Sequence, residues 1–265
     1  MRRAVALGLL HGPAELVPIS SSAHTTLLAW HQGWDLEALD PAARKRFEVA
    51  LHAGTTAAIL LRHRRELAAG LRTRPAGASP VRVVVLACVP AALAGTLLRG
   101  PIERRAGTPR TIAAALAGGA VAMVAADRHA ERRRPRADAG TADAVALGAA
   151  QALALIPGVS RSGATRAAAR WRGFSRVESD ALSGAVGLPI TLAALALKGR
   201  EAALHSDRSE WGPLSVGALG AFASTLAATE ALARVGRRRT LLPYAVYRVA
   251  LAGAVLRRLR QNDER

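Results

Sequence analysis

An apolar segment broken by proline, glycine and serine occurs twice in this chain, and the pair constrains the fold more than any other feature. The first copy reads AVALGLLHGPAELVPISSSAH, from Ala4 to His24, and the second AVALGAAQALALIPGVSRSGAT, from Ala144 to Thr165. An offset of 140 positions, Ala4 to Ala144, lays AVALG on itself and His11 on Gln151. The same offset lays Ser20-Ser21-Ser22-Ala23 on Ser160-Arg161-Ser162-Gly163. A half-helix that stops at such a break leaves backbone N–H and C=O groups unpaired. That is a poor element for a soluble core. In a membrane protein it is tolerated where it lines a cavity, and paired interrupted segments in two halves point to the site.

Composition agrees that part of the solvent is lipid. Hydrophobic residues make up 51% of the chain but aromatic residues only 3%, whereas a water-soluble core uses more rings. Apolar stretches run over 47–61, 83–98, 111–126, 177–197, 214–233 and 240–256, near the ~17–25 residues that cross a bilayer. The opening Met-Arg-Arg is not the start of a cleavable signal, because His11, Pro13 and Glu15 interrupt the apolar run too early.

The net charge of +18 comes from 37 cations, all arginine except Lys45 and Lys198. They are scattered through the connections between apolar segments and read mainly as membrane-surface and orientation charges. No aromatic stacking platform accompanies them, which argues against nucleic acid as a partner. The single Cys88 excludes an intrachain disulfide and a multi-cysteine metal site. If the basic blocks Arg62–Arg65, Arg132–Arg136 and Arg237–Arg239 are cytoplasmic, the connections near 99–110 and 198–212 are external. The two broken segments then enter from opposite faces. The expected fold is an all-α integral membrane protein forming one domain over 1–265. It comprises two inverted repeats, about 1–127 and 141–260, each a re-entrant helical hairpin plus three transmembrane helices.

Glu15 follows His11 by four residues, one helical turn, so both side chains face the same way. A carboxylate at membrane depth is costly unless paired and is a functional candidate by default. Ser20, Ser21 and Ser22, followed by His24, supply hydroxyls and an imidazole at the start of the next half-helix, where free N–H groups attract anions. The second copy adds Ser160, Ser162, Gly163 and Thr165 around Arg161, whose planar fork suits phosphate oxygens. An anionic ligand accounts for two such polar breaks better than a buried salt bridge does.

These residues carry a resemblance. Glu15-Leu16-Val17-Pro18-Ile19-Ser20-Ser21-Ser22-Ala23-His24, then Phe47 to Gly54, and above all Gln151 to Thr165 with its PGVSRSG core, resemble the bacterial undecaprenyl-diphosphatase, or bacitracin-resistance, family. Gly173-Phe174-Ser175-Arg176, Pro189 and Tyr247-Arg248 extend the likeness over nearly the whole chain. The resemblance implies a bacterial cell-membrane enzyme that hydrolyses undecaprenyl diphosphate to undecaprenyl phosphate and inorganic phosphate. Its site would open toward the outer face, recycling the lipid carrier of cell-wall synthesis. Catalytic roles then fall to Glu15, Ser21, His24 and Arg161. Substrate contacts fall to Ser20, Ser22, Gln151, Ser160, Ser162, Gly163 and Thr165, with the polyprenyl tail lying along the apolar spans. A divalent cation, Mg²⁺ or Ca²⁺, is implied, with Glu15 and position 11 as ligands. Position 11 departs from the family, which carries Glu or Gln there, and His52 likewise stands where the family has Gln. A flippase for polyprenyl phosphate, a non-hydrolytic lipid-phosphate-binding homologue, and assembly with further copies of the chain remain open alternatives.

Overall fold

A computed structural model of the chain describes residues 1–34, 41–72, 79–129, 133–235 and 240–264. Eleven α-helices carry the described residues: α1 Arg2–Leu16, α2 Ser21–His31, α3 Pro41–Arg72, α4 Ser79–Leu97, α5 Arg99–Ala106 and α6 Pro109–His129, then α7 Thr141–Leu153, α8 Arg161–Trp171, α9 Arg176–His205, α10 Trp211–Val235 and α11 Leu242–Asp263. The only extended pairing among them is an isolated bridge between Arg134 and Phe174. The fold is all-α, as the apolar patterning implies.

Both expected breaks are present, between α1 and α2 and between α7 and α8. Each of the six apolar stretches lies within a helix or coincides with most of one. Three segments are long and apolar enough to cross a membrane, Pro109–His129, Arg176–His205 and Arg208–Arg234, with Val81–Leu97 a shorter apolar helix. On α4, Val81, Val85, Val89, Leu93 and Leu97 recur every fourth position and are all exposed, a lipid-facing stripe. Two connections differ from the expectation: 99–110 contains the short α5, and α9 continues to His205, well into 198–212. The Lys198-to-His205 stretch holds, apart from Gly199, mostly strong helix formers, and the helix runs through it.

The chain divides into two compact units, one of Met1–Leu16, His24–Pro75 and Thr191–Gly236, the other of Val17–Ala23, Ala76–Ile190 and Arg237–Arg265. In the first unit α10 packs on α1 and α3. Glycines set that spacing: a Cβ on Gly8 would stand 2.5 Å from Gly217 O, and one on Gly12 would overlap Ser224 Oγ. Such close backbone approach is how helices associate where lipid removes the hydrophobic drive. Ser224 Oγ also donates to Gly8 O at 3.1 Å, and Leu7, Leu51 and Ala221 form the buried core beside it.

In the second unit α7 packs on α4, α11 on α6, and α8 on both α6 and α7. Gly148, the repeat partner of Gly8, again marks a close approach, here with Pro90 Cγ 2.7 Å from where its Cβ would be. Two buried carboxylates pin this unit. Asp127 accepts from Arg170 Nε (3.1 Å), from both Nε and Nη2 of Arg176 (2.9 Å each) and from Thr240 Oγ1 (2.8 Å). Asp143 accepts from Arg134 Nη1 and Nη2 (3.2 and 3.1 Å), Arg172 Nε (2.6 Å) and Gly140 N–H (2.9 Å). Four arginines that charge alone assigns to the membrane surface are therefore internal ties. Arg132 and the triplet Arg237–Arg239 lie outside the described residues.

Candidate active site

The first break begins with α1, whose last turns present His11 and Glu15 on one face. His11 is buried, 2% exposed, and meets the His52 ring of α3 edge-on, with centroids 4.6 Å apart at 89°. One ligand atom from each of His11, Glu15 and His52 lies within 4.8 Å of the others. Behind them His11 Nδ1 and Thr55 Oγ1 share a 3.0 Å hydrogen bond, and Thr225 Oγ1 of α10 stands 3.4 Å from Thr55 Oγ1. Gly12 makes this support possible, because a Cβ there would stand 2.6 Å from Thr225 N. The cluster offers two imidazoles and one carboxylate. Mg²⁺ and Ca²⁺ favour oxygen cages, whereas imidazole suits first-row transition dications, so this donor set departs from the hard-cation expectation.

The second unit holds both serine turns, and they repeat one another in detail. Ser20 Oγ accepts from Ala23 N–H at 3.4 Å and pairs with Ser22 Oγ at 3.2 Å. Ser160 Oγ accepts from Gly163 N–H at 3.2 Å and pairs with Ser162 Oγ at 3.3 Å. Each serine thus caps the half-helix it precedes, α2 or α8. The chain reverses differently in the two turns: Gly158 takes φ +100° in the second, whereas Ser20 itself takes φ +76° in the first. A left-handed serine is strained by about 1–3 kcal/mol and persists only where the surroundings impose it.

Arg161 opens α8 with its guanidinium against Gly187 of α9, where any Cβ would collide with it. Thr165 is fully buried and donates to Arg161 O at 2.8 Å, with Ser183 Oγ 2.6 Å from its hydroxyl. It supports the turn from behind. Gln151 is also buried, with Nε2 donating to Ala87 O of α4 at 2.9 Å. Ser21 and His24 are buried on α2, 6% and 7% exposed.

Arg248 of α11 enters the sequence reading only through the Tyr247-Arg248 likeness, with no role in the site. It is 1% exposed and donates to Pro18 O (3.2 Å) and Gly158 O (3.0 Å), as well as to Leu116 O and Ala115 O. Pro18 and Gly158 are repeat partners, so one guanidinium holds equivalent carbonyls of both turns. Gly119 leaves the space that the guanidinium occupies. The sequence gives no role to this arginine, because its acceptors are main-chain oxygens that no motif encodes.

Residues 4–254 match the family described as bacitracin resistance protein BacA. The chain is 37% identical over 265 residues to an undecaprenyl-diphosphatase of Geobacter sulfurreducens, covering 96% of each chain. It is 37% identical over 264 residues to the one of Geobacter metallireducens (95% of each). With the one of Idiomarina loihiensis it shares 34% over 259 residues, 94% of this chain and 96% of that one. A match of this extent, carried through both serine turns and the apolar helices around them, makes the chain a membrane protein of the BacA bacitracin-resistance family.

Proposed function

We propose that the chain hydrolyses undecaprenyl diphosphate to undecaprenyl phosphate and inorganic phosphate, returning the lipid carrier to cell-wall synthesis. The observation that carries this reading is the pair of serine-capped helix starts in one unit, one bearing Arg161. Free N–H groups at two helix N-termini and a planar guanidinium are suited to a diphosphate. Phosphoryl transfer needs little else from a protein than positioning and charge compensation. Family membership supports the same activity.

In this reading Arg161 and the turn N–H groups hold the diphosphate and offset charge on the phosphoryl group in transfer. Water, or Ser21 Oγ, forms the new O–P bond as the bridging P–O bond breaks, and the departing undecaprenyl phosphate keeps the bridging oxygen. Glu15 takes the proton of the attacking group, and His24 serves as proton carrier toward the leaving group. If Ser21 attacks, water then cleaves the phosphoserine and releases phosphate. The polyprenyl chain lies along the apolar helices. The protein resides in the bacterial cell membrane with its site open to the outer face.

Phosphate release from purified protein given the C55 diphosphate, with and without chelator, tests this. Catalytic release supports the hydrolase. Binding without release, accompanied by movement of polyprenyl phosphate across vesicle bilayers, would replace it with a flippase.

A further inference from the structure

We propose that His11, Glu15 and His52 form a two-histidine, one-carboxylate site selective for a first-row transition dication of the Zn²⁺ class over Mg²⁺ and Ca²⁺. The proposal rests on the hydrolase reading only for a catalytic role; metal binding is independent of it. Three observations converge. The donor atoms are already gathered, one from each side chain within 4.8 Å of the others. Two ligands on one Zn²⁺, each about 2.0–2.2 Å from it, stand at most about 4.4 Å apart, so small side-chain rotations close the site.

The second observation is the support behind the ligands. Thr55 Oγ1, itself 1% exposed, engages Nδ1 of His11 and leaves the other ring nitrogen for the metal. That is how ligating imidazoles are held and their tautomer fixed. The third is the other copy of the repeat. Gln151 and Leu155 occupy the positions of His11 and Glu15 there, so the broken-helix scaffold does not itself require ionisable groups at these points. His11 and Glu15 come from one helix and His52 from another, and a dication would offset the carboxylate at membrane depth.

Full-length protein in detergent is stripped with chelator and titrated with Zn²⁺, Co²⁺, Mg²⁺ and Ca²⁺. Bound metal is counted by mass spectrometry, and Co²⁺ is followed by its visible absorption. The expected result is one Zn²⁺ or Co²⁺ per chain, held at least ~100-fold more tightly than Mg²⁺ or Ca²⁺. The doubly substituted His11→Gln/His52→Gln protein should lose that selectivity while keeping its helical circular dichroism. Thr55→Val, which leaves all three ligands, should weaken Zn²⁺ by ~10–100-fold. Comparable affinity for Zn²⁺ and Mg²⁺ in the unsubstituted protein overturns the proposal, as does Zn²⁺ binding unchanged by the double substitution. Phosphate release measured on the same samples separates the two readings. Release without metal selectivity removes this site and leaves the hydrolase, whereas stoichiometric Zn²⁺ without release under any metal removes the hydrolase and leaves the site.

Discussion

The two broken segments finish alike and begin differently. From the capping serine onward, Ser20 and Ser160 make the same pair of hydrogen bonds, to the N–H three residues on and to the serine two residues on. Before the break they part: His11 and Glu15 build an ionisable cluster with His52, whereas Gln151 ties α7 to α4 and Leu155 carries no charge. At the first helical position Ser21 faces Arg161. The comparison teaches that the serine-capped turn recurs in both copies, whereas the ionisable cluster belongs to the first copy alone among the described residues.

The sharpest way to break this division is to make each copy resemble the other at one atom. Glu15→Gln keeps size and hydrogen bonding but removes charge, and should lower turnover by ~100-fold or more, the range for lost acid–base catalysis. Gln151→Leu, at the position in the second copy that answers to His11, removes one hydrogen bond and should cost about 0.5–1.5 kcal/mol of stability with little effect on rate. Steady-state phosphate release and chemical denaturation of both variants decide the point; equal rate losses would end the asymmetry. Next in size is Gly187→Ala. The added methyl displaces the Arg161 guanidinium while raising helix propensity, so turnover should fall by up to ~100-fold, as for a misplaced reacting group, without loss of stability. Arg161→Lys should match it if the guanidinium fork is what matters.

Smaller effects test what the copies share. Arg248→Met leaves the Pro18 and Gly158 carbonyls without their donor and should cost about 1–3 kcal/mol for each. Hydrogen exchange should rise in both turns together; protection lost in one turn alone would mean the copies are held separately. The smallest effect concerns Asp143 at the start of α7, outside the spanning helices, where the first copy has Arg3. Burial alone would raise its carboxyl pKa. Donation from Arg134, Gly140 N–H and Arg172 more than offsets this and holds it below the ordinary carboxylate value. A folded value below the unfolded one, about 3.9, gives stability that is complete above the unfolded value and is lost as pH falls through the folded one. Protection factors of α7 amides, referred to the intrinsic exchange rate at each pH, should therefore fall on acidification, and Asp143→Asn should flatten that dependence relative to α1.

Much of this was legible from residue order. Pro, Gly and Ser at matched offsets marked both breaks, and the four-residue step from His11 to Glu15 marked a shared face, because these features are local. His52 stood out only as a histidine where the family has Gln, with no link to position 11, since its contact with His11 depends on how α3 lies against α1. Gly187 resembles any membrane-helix glycine until the Arg161 side chain is seen over it. Arg134, Arg170, Arg172 and Arg176 read as headgroup charges, because sequence shows a cation and not the buried carboxylate it meets. Thr165 reads as a ligand-facing hydroxyl, yet its hydrogen bonds are spent on Arg161 O and Ser183.

Arg248 bears on what motion the protein can use. Rocking transport needs two repeated elements to move past each other around their break points. Here a single planar fork donates to the same carbonyl in both, in the space that Gly119 leaves. Sliding would break charge-assisted bonds worth about 1.5–3 kcal/mol each. The two turns therefore behave as a fixed anvil. A lipid diphosphate is more readily cut on such a surface than carried across it.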